Sequence, residues 1–165
     1  MSVTVPFESL LDYSDHERRK WRDWAAADPT RLTIVVQPGG RFPTVGALLD
    51  HVFLVERRHL CRLQGATPPE DTGVPPGDWN RLFEYADLVR ADLRGYAAEL
   101  TDVVGDGLLT FEAIGIGSIT TSRRRLMTHI VLHEIRHFAQ VALAARTAGV
   151  EPPGRHDILF YNAEF

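Results

Sequence analysis

Residues 123–149, RRRLMTHIVLHEIRHFAQVALAARTAG, carry two readings, and the choice between them decides the fold. Wound as a helix at ~100° per residue, Leu126, Ile130, His133, His137, Val141, Ala144 and Ala148 fall in one narrow stripe. The stripe predicts a bundle helix with an imidazole pair facing the interior. Read as a motif, His133-Glu134-Ile135-Arg136-His137 is the H-E-x-x-H of zinc peptidases, whose Glu is the general base. Either way the two rings lie one turn apart on one face, close enough to share a metal ion.

The peptidase reading fails on its surroundings. The H-x-x-G-x-x-H extension is missing, because Gln140 and Leu143 stand where Gly and His are needed. Glu151, the downstream carboxylate, lies beside Pro152 and Pro153, and Asp157 carries no further peptidase signature. Glu134 sits off the stripe by most of a quarter turn and reads as a solvated carboxylate, or as one supporting a ligand. The chain also offers little strand to hold a peptide. A metal on a helical bundle is the better reading, since two buried neutral imidazoles without partners would be costly.

Three more helices are legible outward from this one. The first runs from about Phe7 to Ala27 and stops before Asp28-Pro29, because a residue preceding proline is pushed out of the helical region. The second follows Pro43, with Thr44 as its cap, and stops at Gly65. The third starts near Asp78 and continues to about Val103. The last follows the Ser118 to Ser122 cluster and ends at Gly149. The Pro-rich stretch QGATPPEDTGVPPGD is long enough to return the chain along the bundle, so the second and third helices are expected to run parallel. Leu32 to Val36 and Leu108 to Ile114 have strand character and are expected to pair as a small accessory ribbon. The fold class is therefore all-α: a four-helix bundle with a long crossover, as one domain over 1–165.

Composition narrows the function classes. With 165 residues, 44% hydrophobic, the chain can bury a core of its own, and its net charge of -4 gives no footprint for nucleic acid or an anionic membrane. Arg123-Arg124-Arg125, the one dense basic run, reads as a solvated first turn. Cys61 is the only cysteine, which excludes a disulfide framework and a cysteine-rich zinc site, and it reads as a buried helix residue. The N-terminus lacks a signal-peptide pattern and no run is long and apolar enough for a membrane span, so a cytoplasmic location is expected.

A metal held by a pair needs a third ligand. His51, bracketed by Leu48, Val52 and Val55 in the middle of the second helix, is the best candidate. His59 competes, but it lies near the helix end and reads as touching solvent. His16 sits in the charged run SDHERRK and reads as surface. His156 reaches the site only if the tail folds back. His129 lies about 12 Å along the axis from His137, so the two cannot share an ion, and its ring sits at the stripe's margin.

The patterns TVGALLDHVFLVERRHLCRL, THIVLHEIRHFAQVALAARTAG and PPGRHDILFY, in this order and spacing, resemble the DinB-like (damage-inducible) superfamily of four-helix-bundle metalloproteins. The resemblance spans the chain and implies an up-down-down-up bundle, often a homodimer. It implies one divalent ion, zinc or nickel, held by His51, His133 and His137. Because characterised relatives include transferases and isomerases that use low-molecular-weight thiols such as bacillithiol and mycothiol, it also implies a thiol co-substrate, with a metal-dependent hydrolase or a non-catalytic metal-binding bundle as the alternatives. Where many members continue the last ligand with Arg-Gly-Gln, this chain has Phe138-Ala139-Gln140, so the pocket differs from the common pattern. The second helix turns basic at Arg58 and Arg62. These two, with residues of the Gly105 to Ser118 connection, are the candidates for the pocket mouth. The apolar Val131, Ile135, Phe138 and Ala142 exceed what the stripe needs and suggest the dimer face.

Overall fold

The computed structural model describes residues 5–113 and 115–161, and its four long helices are α1 (Phe7–Ala27), α2 (Val45–Gln64), α3 (Trp79–Ala98) and α5 (Arg123–Thr147). Their ends follow local chemistry. The Oγ1 of Thr44 accepts the Ala47 N–H at the start of α2. Gly65 closes that helix at φ 72°, a left-handed conformation that a Cβ would strain. Asp78 caps α3 and Ser122 caps α5, each accepting an N–H of the first turn.

The third helix ends at Ala98, not near Val103. Thr101 turns its hydroxyl onto the Val104 N–H and starts a separate short helix, α4 (Asp102–Asp106). A side-chain oxygen that satisfies a nearby N–H competes with helix continuation. Two strands follow, β1 (Leu108–Ala113) and β2 (Gly117–Ser122), antiparallel and in register from Leu108↔Ser122 to Ala113↔Gly117. The expected partner of β1 was Leu32 to Val36; the actual partner is the run that includes Ser118 to Ser122. Ile119, Thr120 and Thr121 are β-branched and suit a strand, and only Ser122 acts as the helix cap. Ile114, the last residue of the expected first strand, lies outside the described residues. Leu32 and Thr33 instead close a 3-10 turn (Pro29–Thr33) that Asp28 caps, and Val35 makes one isolated bridge to Thr44.

Helix α2 packs on α3 and α5, and α1 packs on the same two. Two apolar clusters fill the space between them. One gathers Trp21, Val45, Phe53, Phe83 and Val141; the other gathers Leu11, Leu60, Leu93, Leu126 and Ile130. Along α1 and α5 the chain passes from the second cluster to the first, and along α2 and α3 from the first to the second.

Between the clusters lies a layer of charge that hydropathy does not reveal. Arg18 donates to both Glu56 (2.5 Å) and Glu134 (2.7 Å), and Arg90 donates to the same two carboxylates, each at 2.7 Å. Ser14 donates to Glu134, and Arg18 also reaches the Ala86 carbonyl at 2.8 Å. All six residues are buried. Burial opposes the charge of Glu56, but Arg18 and Arg90 win and hold its pKa below the usual value. Burial likewise opposes the charge of Arg90, and Glu56 and Glu134 raise its pKa.

This layer rotates α5 away from the expected orientation. Glu134 is 1% exposed and sits at the centre of the buried face, instead of being solvated. Val131, Phe138 and Ala142, expected to spare an outer face for a second copy, are buried inside the chain. His133 and His137 consequently lie at the edge of the core, on the seam with α2. The run SDHERRK is likewise only partly surface, since Ser14, Glu17 and Arg18 are buried.

Candidate metal centre

Helices α2 and α5 bring together the three histidines expected from sequence. One ligand-capable nitrogen from each of His51, His133 and His137 lies within 4.8 Å of the other two. The Nε2 atoms of His133 and His137 are 3.1 Å apart. Two zinc–nitrogen bonds of ~2.0–2.1 Å at a tetrahedral angle would place them at about 3.3 Å. The α5 pair is thus set for one ion as it stands, and His51 faces both rings edge-on from across the seam, at centroid distances of 5.2 and 5.3 Å.

The surroundings keep these rings neutral, the state in which an imidazole can ligate. Burial first, then His137, Arg41 and Arg58, lowers His51 to about 4. Burial, His137 and His51 lower His133 to about 2. Burial lowers His137 as well, outweighing its bond to Gln140.

Two residues that the sequence reading did not single out as supports orient the cluster. Gln140, one turn beyond His137, places its Oε1 2.6 Å from Nδ1 of that ring. An oxygen there accepts Nδ1–H and leaves Nε2 with its lone pair toward His133. Such a bond behind a ligating ring fixes both tautomer and orientation. Phe42 stacks on His51 at 3.9 Å between centroids, and the Arg41 guanidinium lies over the other ring of that pair, 5.2 Å from the Phe42 centroid. The i, i+3 spacing from His137 was the available signal for Gln140. Phe42, ahead of Pro43 in a loop, offered none.

The remaining histidines fall elsewhere. His59 is 8% exposed, not solvent-facing, and burial, Arg62 and His129 lower it to about 3. It meets the exposed His129 at 5.2 Å and Phe111 of β1 at 5.9 Å. His129 in turn lies 5.5 Å from His133, on the margin expected from the wheel. His16 is half-buried against Tyr161. The tail does fold back, but onto α1: His156 stacks on Trp21 at 5.0 Å and bonds Glu17 at 2.5 Å, beside a cavity of about 480 Å³ lined by Tyr13, Phe138 and Arg146. Asp157 caps a short 3-10 turn (Ile158–Phe160), and the Glu151 carbonyl accepts from Trp24. Cys61 is buried, as expected.

Glu134 now answers the peptidase motif. Both of its oxygens are engaged by Arg18, Arg90 and Ser14 in the interior between the helices. A general base must reach the reacting proton with a free lone pair, and this carboxylate is committed to the fold.

Four packed helices with a three-histidine cluster between two of them define a helical protein whose site is compatible with a metal ion. The family model described as DinB family matches residues 1–163, and the chain belongs to that family. No curated protein sequence matches it. Among the described residues no helix is long and apolar enough to cross a membrane.

Proposed function

We propose that the chain is a metal-dependent enzyme that uses a low-molecular-weight thiol against a small electrophile, in the manner of an S-transferase. His51, His133 and His137 would hold one divalent ion, zinc or nickel. The observation that carries this reading is the cluster itself: three neutral imidazoles converge from two helices with one ring already oriented by Gln140. A divalent ion with three neutral protein ligands keeps an open position and lowers the pKa of a water or thiol that enters it. The chain's contribution is to hold the three lone pairs inward, keep protons off them, and place a basic seam beside them. The order in which the helices meet the two apolar clusters supports the up-down-down-up bundle to which such sites belong.

Cys61 is buried on α2 and plays no part in this reading; the sulfur would come from outside. The test is quantitative metal analysis of the purified chain, followed by conjugation assays with a panel of thiols and electrophiles, with and without chelator. One ion per chain and chelator-sensitive conjugation are expected, with Cys61→Ser retaining both. Stoichiometric metal with hydrolysis but no thiol dependence would replace the transferase by a hydrolase. Metal without any turnover would leave a binding protein. A folded chain that takes up no metal would overturn the site.

A further inference from the structure

Two helix faces meet along the seam that holds the cluster, and they share one spacing. On α2 the face runs His51, Val55, Arg58, His59, Arg62; on α5 it runs His129, His133, Arg136, His137, Gln140. Each is a stripe of i, i+4, i+7, i+8 and i+11, so each forms a continuous row. Contacts between His51 and His137 at one end and His59 and His129 at the other tie the rows together. Neither row contains a carboxylate.

Some arginines of this chain are held by carboxylates and others are not. Arg18, Arg22, Arg57, Arg81, Arg90, Arg94 and Arg124 pair with Asp or Glu. Arg58 and Arg62 pair with none among the described residues, in a chain whose acids outnumber its bases. Arg58 gives Nε and Nη2 to the carbonyls of Pro69 and Glu70. Arg62 gives Nη1 to Nδ1 of His59 at 3.1 Å and lies 4.4 Å from the centroid of Phe111. Both are half-buried, one turn apart, and burial and Arg58 together lower the Arg62 pKa. Like charges at i, i+4 destabilise a helix, and here no carboxylate among the described residues pairs with either guanidinium. Glu70, whose carbonyl accepts from Arg58, has an exposed side chain that makes no ion pair with it, and other nearby carboxylates are engaged elsewhere. Glu56 belongs to the interior layer, Asp50 accepts from Thr72, and Asp71 accepts from Gly73. Glu112 follows Phe111 on β1 and so takes the opposite face of the strand.

We propose that this end of the seam is an anion subsite, where Arg58 and Arg62, with His59 between them, receive a carboxylate or similar oxyanion on the small molecule whose other end reaches the three-histidine cluster. The two guanidiniums are held by carbonyls, a ring nitrogen and an aromatic face, with N–H groups still to give, which is the preorganised form of oxyanion recognition. Arg58 and Arg62 follow His51 by roughly 10 and 16 Å along the helix axis, before the reach of the side chains is counted. The substrate is therefore elongated, with its anionic group several bonds from the reacting atom. The ribbon gains a role as well: β1 supplies the Phe111 wall.

The subsite rests on the reading of the cluster as a metal site, and its test separates the two. Cobalt-loaded protein is titrated at low salt with 6-mercaptohexanoate and with the uncharged 6-mercaptohexanol, following the sulfur-to-cobalt charge-transfer band. The acid is expected to bind about tenfold tighter than the alcohol, and the gap to shrink toward nothing in about 0.5 M salt. Arg62→Gln, and Arg58→Gln with Arg62→Gln, should remove the gap without changing the alcohol's affinity. Arg62→Lys, which keeps the charge, should retain part of it and serves if the Gln variants fold poorly. Equal affinities for acid and alcohol in the parent protein, or a preference that survives both Gln variants, overturn the subsite. If neither thiol perturbs the cobalt spectrum, the thiol reading fails on its own, and calorimetry with adipate on the metal-loaded chain decides the subsite. Adipate binding lost in the Arg62→Gln variant supports it, and no adipate binding overturns it.

Discussion

At the residue scale the two helices contribute unequally to the centre. His133 and His137 are placed by one helix and stand 3.1 Å apart, whereas His51 depends on Phe42 and on the packing of α2 against α5. Replacing His133 or His137 by Ala should abolish stoichiometric zinc or nickel, and His51→Ala should do nearly the same. His129→Ala should leave metal content almost unchanged, because its ring meets His133 from outside the cluster. Metal retained by His137→Ala but lost in His129→Ala would reassign the chelate. A second prediction concerns His59, whose pKa is lowered to about 3 by burial, Arg62 and His129. The unfolded chain protonates this ring near its ordinary value of about 6.5 while the folded chain does not. Stability from this group is therefore complete above about pH 6.5 and falls by up to ~1.4 kcal/mol per pH unit as pH drops toward 3. Urea midpoints measured from pH 7.5 to 4.5 should fall less steeply in His59→Gln; identical slopes would refute the assignment. The three ligand candidates were legible because two share a helical face and the third sits among apolar neighbours. His59 was misjudged since position near a helix end says nothing about a ribbon that packs over it.

At the element scale, boundaries were readable where one residue type has one local use. Thr44, Gly65 and Asp28-Pro29 stop or start helices by chemistry confined to a few atoms. Gly65→Ala should accordingly cost about 1 kcal/mol, since an L-residue pays that much at φ 72°; an unchanged urea midpoint would show that the turn relaxes freely. The ribbon was half legible. The strand pattern of β1 was visible, but its partner was masked because Ser and Thr read equally as caps and as strand residues. The rotation of α5 was not legible. A stripe drawn through apolar residues and histidines leaves Glu134 outside, and only the partners on α1, α2 and α3 reveal it as an interior group. Breaking such a layer leaves two buried guanidiniums short of a partner. Glu134→Ala should lose about 3–5 kcal/mol of stability, while the folded fraction still binds metal. A general base would behave in the opposite way, losing turnover with stability intact.

At the scale of the whole molecule, the centre lies at the edge of a core that is packed from other residues. The apolar clusters around Trp21 and Phe53, and around Leu60 and Leu93, are packed from hydrophobic side chains on all four long helices, and the charged layer between them pairs its own Arg and Glu residues. Folding is therefore expected not to wait for metal, unlike a small zinc domain whose binding energy is its folding energy. An ion that binds only the folded chain still stabilises it, by about 4 kcal/mol when free metal exceeds the dissociation constant a thousandfold. Chelator-treated protein should keep its helical circular dichroism and melt cooperatively at a lower temperature. Returning zinc should raise the melting temperature in the parent and in His129→Ala, but not in His133→Ala. Loss of helix on chelation would mean that the ion is structural, and the seam between α2 and α5 would then be a clamp instead of a site for chemistry.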